Sequence, residues 1–213
     1  ATHSINAQIT IVPNQTATAL AQALAGSSVT VSNATLNCPQ VANGLFTVTS
    51  SNLGLTNAIL LTSGDAAAAV SPDPSFSNSP QPGDPDLNSI SLVSTFDRCV
   101  LEFDFVPLAD SIKFQYVFGS TEYQSYTCSN FSDVFGFFLS GPGINGPHSN
   151  NAKNIALVPG TTSCPVGVNT INGSTASNCG NFTPPCTNNG IYFVNNIPLP
   201  RTVGYNGFTT VLT

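Results

Sequence analysis

The chain has 213 residues, with ten Asp and Glu against four Lys and Arg and a formal charge of −6, a balance that repels a phosphate backbone and argues against nucleic acid as a partner. Hydrophobic residues make up 41% and charged residues only 7%, which excludes a disordered acidic tail and describes a packed core that meets water through amides and hydroxyls. No apolar run approaches the length that spans a bilayer, so no membrane insertion is expected.

The length fits one domain over residues 1–213. Ala1 reads as a mature N-terminus, since there is no Met and no charged-then-apolar leader. Ile5 to Val12 and Ser28 to Leu36 carry the β-branched alternation of strands. Between them Thr16 to Ala25 is Ala/Leu-rich and stops at Gly26, which predicts the one helix of the chain. Leu45 to Thr49 and Ala58 to Thr62 read as further strands, the second closed by Ser63-Gly64-Asp65. Pro72 to Asp86 then holds five prolines and three acids and is expected to be a loop without regular structure.

From Cys99 to Val106 the alternation is clear, with Leu101, Phe103 and Phe105 on one face and Glu102 and Asp104 on the other. Ile112 to Phe118 repeats the pattern, and the two are expected to form an antiparallel hairpin through Pro107 to Asp110. Asp133 to Leu139, Ile155 to Val158, Ile191 to Asn195 and Phe208 to Leu212 supply the remaining strands, with turns from Thr161 to Asn189. No repeat of solenoid period is present. These elements predict an all-β fold, an antiparallel, jelly-roll-like β-sandwich with one short N-terminal helix.

The six cysteines, Cys38, Cys99, Cys128, Cys164, Cys179 and Cys186, show no CxxC or Cys/His cluster, so disulfides in an oxidising compartment are expected instead of zinc. Six cysteines allow fifteen pairings. The spacing favours Cys179 with Cys186 and Cys128 with Cys164.

Val117 to Gly146 is the most specified stretch, because Glu122 and Asp133 stand there beside Phe131, Phe135, Phe137 and Phe138 in a chain poor in charge. A carboxylate held against a hydrophobic sheet needs a partner. Calcium is the candidate cofactor, with Asp84, Asp86 and Asn88 at alternating positions in a Gly/Pro loop and Glu122 and Asp133 completing a cage. The competing reading makes Asp84 and Asp86 turn residues and Asn88 a cap. Glu102 and Asp104 resemble a glycosidase pair only in spacing, about 7 Å between Cα atoms. A Ser/His/Asp hydrolase would require His3 or His148, and no GxSxG elbow exists. Phe114, Tyr116, Phe118, Phe135 and Phe137 read as core, whereas Tyr123 and Tyr126 are expected to be exposed and able to stack on a ligand such as a glycan.

The ordered motifs LTSGD (61–65), PGDPDLN (82–88), VLEFDFVPLADSIKFQYVFGSTEY (100–123), CSNFSDVFGFFLSGPGI (128–144) and KNIALVPGT (153–161) together resemble the choice-of-anchor L domain, over roughly Val29 to Thr213. That family is a module of large secreted bacterial surface proteins, frequent in Bacteroidetes. The resemblance implies export, a β-sandwich-like fold and an adhesive or structural role, with no general catalytic activity. Two departures stand out: Thr121 occupies a position where the family commonly has a second acid, and the chain ends at Thr213 where family members usually continue with further strands.

The expected function is therefore that of a non-enzymatic extracellular or cell-surface adhesin module. Its partners would be other copies of itself, neighbouring domains of a longer surface protein, or glycans. One alternative is a subunit of an extracellular filament joined by strand exchange at an open sheet edge. Another, from a different class, is a lectin or carbohydrate-active enzyme using the acids of the loop face.

Overall fold

The computed structural model describes residues 9–71, 81–197, 201 and 203–213. The first residues of the strand expected from Ile5, His3 and most of the proline loop expected from Pro72 lie outside these. The fold is all-β and antiparallel, and its residues gather into two compact units, 1–82 with 96–115 and 200–204, and 83–95 with 116–199 and 205–213.

In the first unit β1 (Ile9–Pro13) pairs antiparallel with β3 (Asn43–Val48), in register from Ile9 opposite Val48 to Pro13 opposite Gly44, and β3 pairs in turn with β4 (Asn57–Leu61). Helix α1 (Ala17–Ala25) starts where the Thr16 side chain accepts the Ala19 N–H at 3.2 Å and ends at Gly26, whose φ of +65° suits glycine. Leu20 and Ala21 on α1 are fully buried, with Phe46 and Val48 of β3 also in the core. Asn43 is buried and fully engaged: its Oδ1 accepts the Gln15 N–H at 2.8 Å and its Nδ2 donates to the Gln40 carbonyl at 3.1 Å.

The longest strands of this unit are β2 (Val29–Asn37) and β5 (Val100–Pro107), paired antiparallel from Val29 opposite Pro107 to Asn37 opposite Val100. The register slips between Ser32 and Thr35, where β2 carries one extra residue; Asn33 takes a φ of +51° there and donates from Nδ2 to Asp104 Oδ2 at 2.7 Å. Leu101, Phe103 and Phe105 face inward while Glu102 and Asp104 are exposed, as the alternation predicted. The expected hairpin does not form. Residues 111–115 make no strand, and β5 finds its partner in β2 because the Cys38–Cys99 disulfide pins the adjoining ends of these two strands together.

The second unit is built from short strands and long turns. Strand β6 (Gly119–Ser120), β11 (Phe193–Asn195) and β12 (Gly207–Thr209) form one sheet with β12 in the centre. Strand β7 (Val134–Phe135) pairs with β10 (Val166–Gly167), and β8 (Phe138–Leu139) with β9 (Lys153–Asn154). The strand expected over Asp133 to Leu139 is thus two short pieces interrupted at Gly136 and Phe137. Ile155 to Val158 contributes a single bridge, Leu157 to Pro165. Val158, Val166, Ile171 and Leu212 form the apolar centre with Cys164, and Tyr116, Phe118 and Phe193 pack against it.

A second helix, α2 (Pro85–Ser91), replaces the end of the expected loop and corrects the expectation of a single helix. Asp84 caps it through Oδ1, which accepts the Asp86 and Leu87 N–H groups at 2.9 and 3.1 Å, and Pro85 at the first helical position needs no hydrogen bond there.

All six cysteines are paired, as Cys38–Cys99, Cys128–Cys179 and Cys164–Cys186. The expected pairings Cys179–Cys186 and Cys128–Cys164 are therefore wrong. The turn at 179–182 donates its Gly180 N–H to the Cys128 carbonyl at 3.2 Å, which brings Cys179 rather than Cys164 beside Cys128.

Candidate functional site

The site lies on the turn that leaves β6. Antiparallel pairing of Ser120 with Gly207 buries the serine to 2% exposure, and Asn206 clamps the turn by donating its N–H to the Ser120 carbonyl at 3.1 Å and its Nδ2 to the Thr121 carbonyl at 2.7 Å. The Ser120 hydroxyl accepts the Glu122 N–H at 2.9 Å and donates to Asp133 Oδ2 at 2.6 Å. The Asp133 N–H in turn donates to Glu122 Oε2 at 3.0 Å. The Ser120 turn and the more distant Asp133 are thereby locked into a cycle that sets two carboxylates side by side.

Both are partly buried, and the surroundings resist their charge. Burial, followed by the neighbouring Asp133 charge, pushes the Glu122 carboxyl up from 4.5 to about 7, although the hydrogen bond from the Asp133 backbone works the other way. Burial also raises Asp133, against the lowering effect of the Ser120 hydroxyl. Two acids in one half-buried place either share a proton or hold a cation.

Tyr123 corrects the expectation that it is exposed. It is 0% exposed, with its ring 4.8 Å from that of Phe193 and edge-on to Phe118 at 6.3 Å. The turn points this side chain into the unit, and Gly207, where a β-carbon would meet the Tyr123 ring at 2.9 Å, leaves room for it. Its hydroxyl has no hydrogen-bond partner among the described residues. Burial and then the Asp133 charge push its ionisation upward, so the hydroxyl stays protonated and lies within electrostatic reach of that carboxylate.

Tyr126, by contrast, is 49% exposed and meets Phe131, 64% exposed, edge to face at 5.7 Å between ring centroids. The disulfide of Cys128 to Cys179 ties the loop between them, and Asn169 braces it by accepting the Cys128 N–H at 2.7 Å and donating to the Ser129 carbonyl at 2.8 Å. Sequence reasoning grouped Phe131 with the aromatic strand. The polar run on both sides of it, CSNFSD, is the signal that it sits on a loop.

Asp84, Asp86 and Asn88 sit at the start of α2, and each already accepts backbone hydrogen bonds there, Asp84 through Oδ1. Asp84 is the cap described above. Asp86 accepts the Ser149 N–H with both oxygens, at 3.1 and 3.2 Å, and lies 3.7 Å from His148 Nδ1. Asn88 Oδ1 accepts the Thr95 N–H at 2.6 Å and its hydroxyl at 2.7 Å. Ser89 Oγ lies 3.2 Å from the same His148 Nδ1, so serine and acid address one ring nitrogen; a hydrolase relay needs them on opposite nitrogens. The structure thus brings Glu122 and Asp133 together and gives the α2 residues separate structural partners. Among the described residues no group of three or more His, Cys, Asp or Glu is arranged to hold a metal ion.

The sequence pattern of the choice-of-anchor L domain matches residues 6–213. The chain belongs to the choice-of-anchor L domain family. The match takes in α1 and β1, N-terminal to the Val29 at which the resemblance begins. No curated protein and no solved structure matches the chain. Membership of the choice-of-anchor L family and the three disulfides point to an extracellular or surface-associated module.

Proposed function

We propose that this choice-of-anchor L domain is a non-catalytic contact module of an adhesin-type surface protein, with the loop Gln124 to Phe131 as its contact face and glycans as the ligand class. The observation that carries this reading is the pair Tyr126 and Phe131, two large aromatics that stay exposed although braced by a disulfide and by Asn169. An aromatic side chain held in one place can bind with little loss of conformational freedom, and rings set at an angle offer stacking faces to a sugar. The test is a glycan array probed with the purified domain and with Tyr126→Ser and Phe131→Ser. Binding that falls at least about tenfold, or about 1.4 kcal/mol, in both variants at unchanged melting temperature supports the reading. A wild-type domain that binds no glycan, or variants that bind as well as wild type, sinks it.

The filament reading draws on one observation in the first unit. Strand β5 belongs to a two-stranded sheet, and Val106 and Leu108 at its end are 62% and 70% exposed. Apolar side chains beside a short sheet suit an added strand from another copy. Concentration-dependent fibres in electron microscopy, abolished by Val106→Lys, would favour it over the contact module.

A further inference from the structure

Within the second unit, the end of α2 and the cysteine-bonded turns at 179–186 border a cleft of about 370 Å³. Ligand sites run from about 300 to 1,000 Å³, so this one suits a small ligand. Ile90, Leu92, Pro165, Phe182, Pro184 and Pro185 give it an apolar lining, and Ser163, Asn181 and Thr183 add neutral polar groups. Its walls are fixed in advance. The Cys164–Cys186 disulfide ties the segment of Ser163 and Pro165 to the turn at 183–186, which the Cys186 N–H closes on the Thr183 carbonyl at 2.9 Å. Asn181 Nδ2 donates to the Leu92 carbonyl at 3.1 Å and so fastens the end of α2 to the turn at 179–182. Among the described residues, Asn181 Oδ1 and the Ser163 and Thr183 hydroxyls have no protein partner; all three residues are exposed, and these groups are available to a ligand. Leu92 is the feature that stability alone does not explain. It ends α2 at a φ of +61°, a left-handed position that glycine adopts freely and leucine only at a cost, and it is 51% exposed, so burial recovers little of that cost. A bulky residue kept in such a place beside a cleft points to a role for its side chain there.

We propose that this cleft is a sugar subsite for one uncharged pyranose residue, a proposal that rests on the glycan class assigned above to the Tyr126 and Phe131 loop. Leu92 and Phe182 supply apolar surface for the C–H face of the ring, and Ser163, Asn181 and Thr183 address its hydroxyls. A sugar hydroxyl both donates and accepts, which matches two protein hydroxyls and an amide oxygen; a wholly apolar ligand would dehydrate these groups without replacing their hydrogen bonds. None of the described lining residues is charged, so a carboxylate or sulfate on the ligand would find no counter-charge. The disulfide-fixed walls keep the ordering cost of binding low. The cleft is also continuous with the contact loop through the turn at 179–182. Cys179 is bonded to Cys128 of that loop and the Gly180 N–H donates to the Cys128 carbonyl at 3.2 Å, while the next two residues, Asn181 and Phe182, line the cleft. One oligosaccharide laid across this turn would meet both places.

The experiment probes an array of neutral glycans and their sialylated or sulfated counterparts with the purified domain, as wild type and as Ser163→Trp, Thr183→Val, Leu92→Gly and Tyr126→Ser, each with its melting temperature. Ser163→Trp fills the cleft and is expected to abolish binding, and Thr183→Val removes one hydroxyl at constant shape and should weaken it at least about threefold. Leu92→Gly is expected to melt at the wild-type temperature or above, because glycine takes the left-handed position without strain, and still to bind at least about threefold more weakly. A purely structural Leu92 would leave binding unchanged in that variant. Should Ser163→Trp fail to fold, Leu92→Gly and Thr183→Val decide. Binding that falls in Tyr126→Ser but survives in all three cleft variants overturns the subsite and leaves the loop as the contact face. Binding that falls in the cleft variants but survives in Tyr126→Ser keeps the subsite and sinks the loop. A preference for the sialylated or sulfated glycans overturns the subsite, and a wild type that binds no glycan overturns both.

Discussion

Raising the pH from about 4.5 to 8 in the absence of divalent cations should destabilise the protein, and the source should be Glu122. Its carboxyl titrates at about 7 in the folded chain against 4.5 ordinarily. Between these values the folded state binds more protons than the unfolded state, so stability falls as pH rises. The loss begins near the unfolded pKa, is complete once pH has passed the folded one, and does not occur below 4.5. The full difference of about 2.5 pH units corresponds to about 3.4 kcal/mol. Glu122 is only partly buried, so solvent screening reduces this to about 1–2 kcal/mol. Asp133, also raised by burial, acts in the same direction. For a chain of this size the expected change is a melting temperature about 2–8 °C lower at the alkaline end. The assay is urea or thermal unfolding across that range in chelator, for wild type and Glu122→Gln. The variant should lose most of the pH slope, since its amide carries no charge at any pH. A flat wild-type profile, or a slope that survives in Glu122→Gln, would refute the claim that this site carries uncompensated charge.

Loop lengths set the order in which the disulfides matter. Cys128–Cys179 closes a separation of 51 residues and Cys164–Cys186 one of 22, so chain entropy assigns about 4 and about 3 kcal/mol to them; paired Cys→Ala variants followed by urea unfolding should rank in that order. At the start of α2, Asp84→Ala should cost about 1 kcal/mol while Asp84→Asn or Asp84→Ser keeps most of the stability, because the loss is that of the cap to the Asp86 and Leu87 N–H groups. Denaturant midpoints measured in Ca²⁺ and in chelator should show the same Asp84→Ala loss, since its oxygen is committed to the helix.

The residue pattern read the strands of the first unit well and their partners poorly. Alternation along residues 100–106 correctly assigned which side chains face inward, because side-chain direction is a local property of extended backbone. Pairing is not local. The expected hairpin rested on nearness in sequence, whereas β5 joins β2, whose Val29 pairs with Pro107, through a register carried across the Asn33 bulge and a disulfide of 61-residue separation. The same bias toward short separations produced the wrong cysteine pairs. At the site, Glu122 and Asp133 stood out because charge is scarce, but Ser120 carried no signal: a serine before a turn looks like any surface serine until β12 covers it. Tyr123 and Tyr126 are separated by two residues and looked equivalent. One is enclosed by Phe118, Phe193 and the space above Gly207, and the other projects outward; only the packed unit distinguishes them. Helix α2 was hidden by the prolines of the segment before it and its own Pro85, although Asp84-Pro85 is a legible helix start once the loop before it is set aside.

The abundance of Asn, Ser and Thr, read from sequence as a surface trait, serves the interior of the second unit. Its strands are two or three residues long, so most backbone groups there have no ladder partner, and side chains supply the bonds instead. Buried Thr170 accepts the Gly167 N–H at 3.0 Å and donates to the Pro165 carbonyl at 2.7 Å; buried Asn172 donates to the Val168 carbonyl at 2.7 Å; buried Asn196 donates to the Tyr205 carbonyl at 2.8 Å; and buried Thr209 accepts the Phe118 N–H at 3.1 Å. Each is neutral and each is matched, which is how polar groups are tolerated in a low-dielectric interior. Against that background the Glu122 turn is anomalous twice over: it places two ionisable acids where the unit otherwise uses amides and hydroxyls, and it leaves the Tyr123 hydroxyl unmatched among the described residues. An amide at either acid would satisfy the same internal bonds without opposing charge. Carboxylates are the worse choice for stability alone, and the pH slope that Glu122→Gln should remove is the measure of that cost.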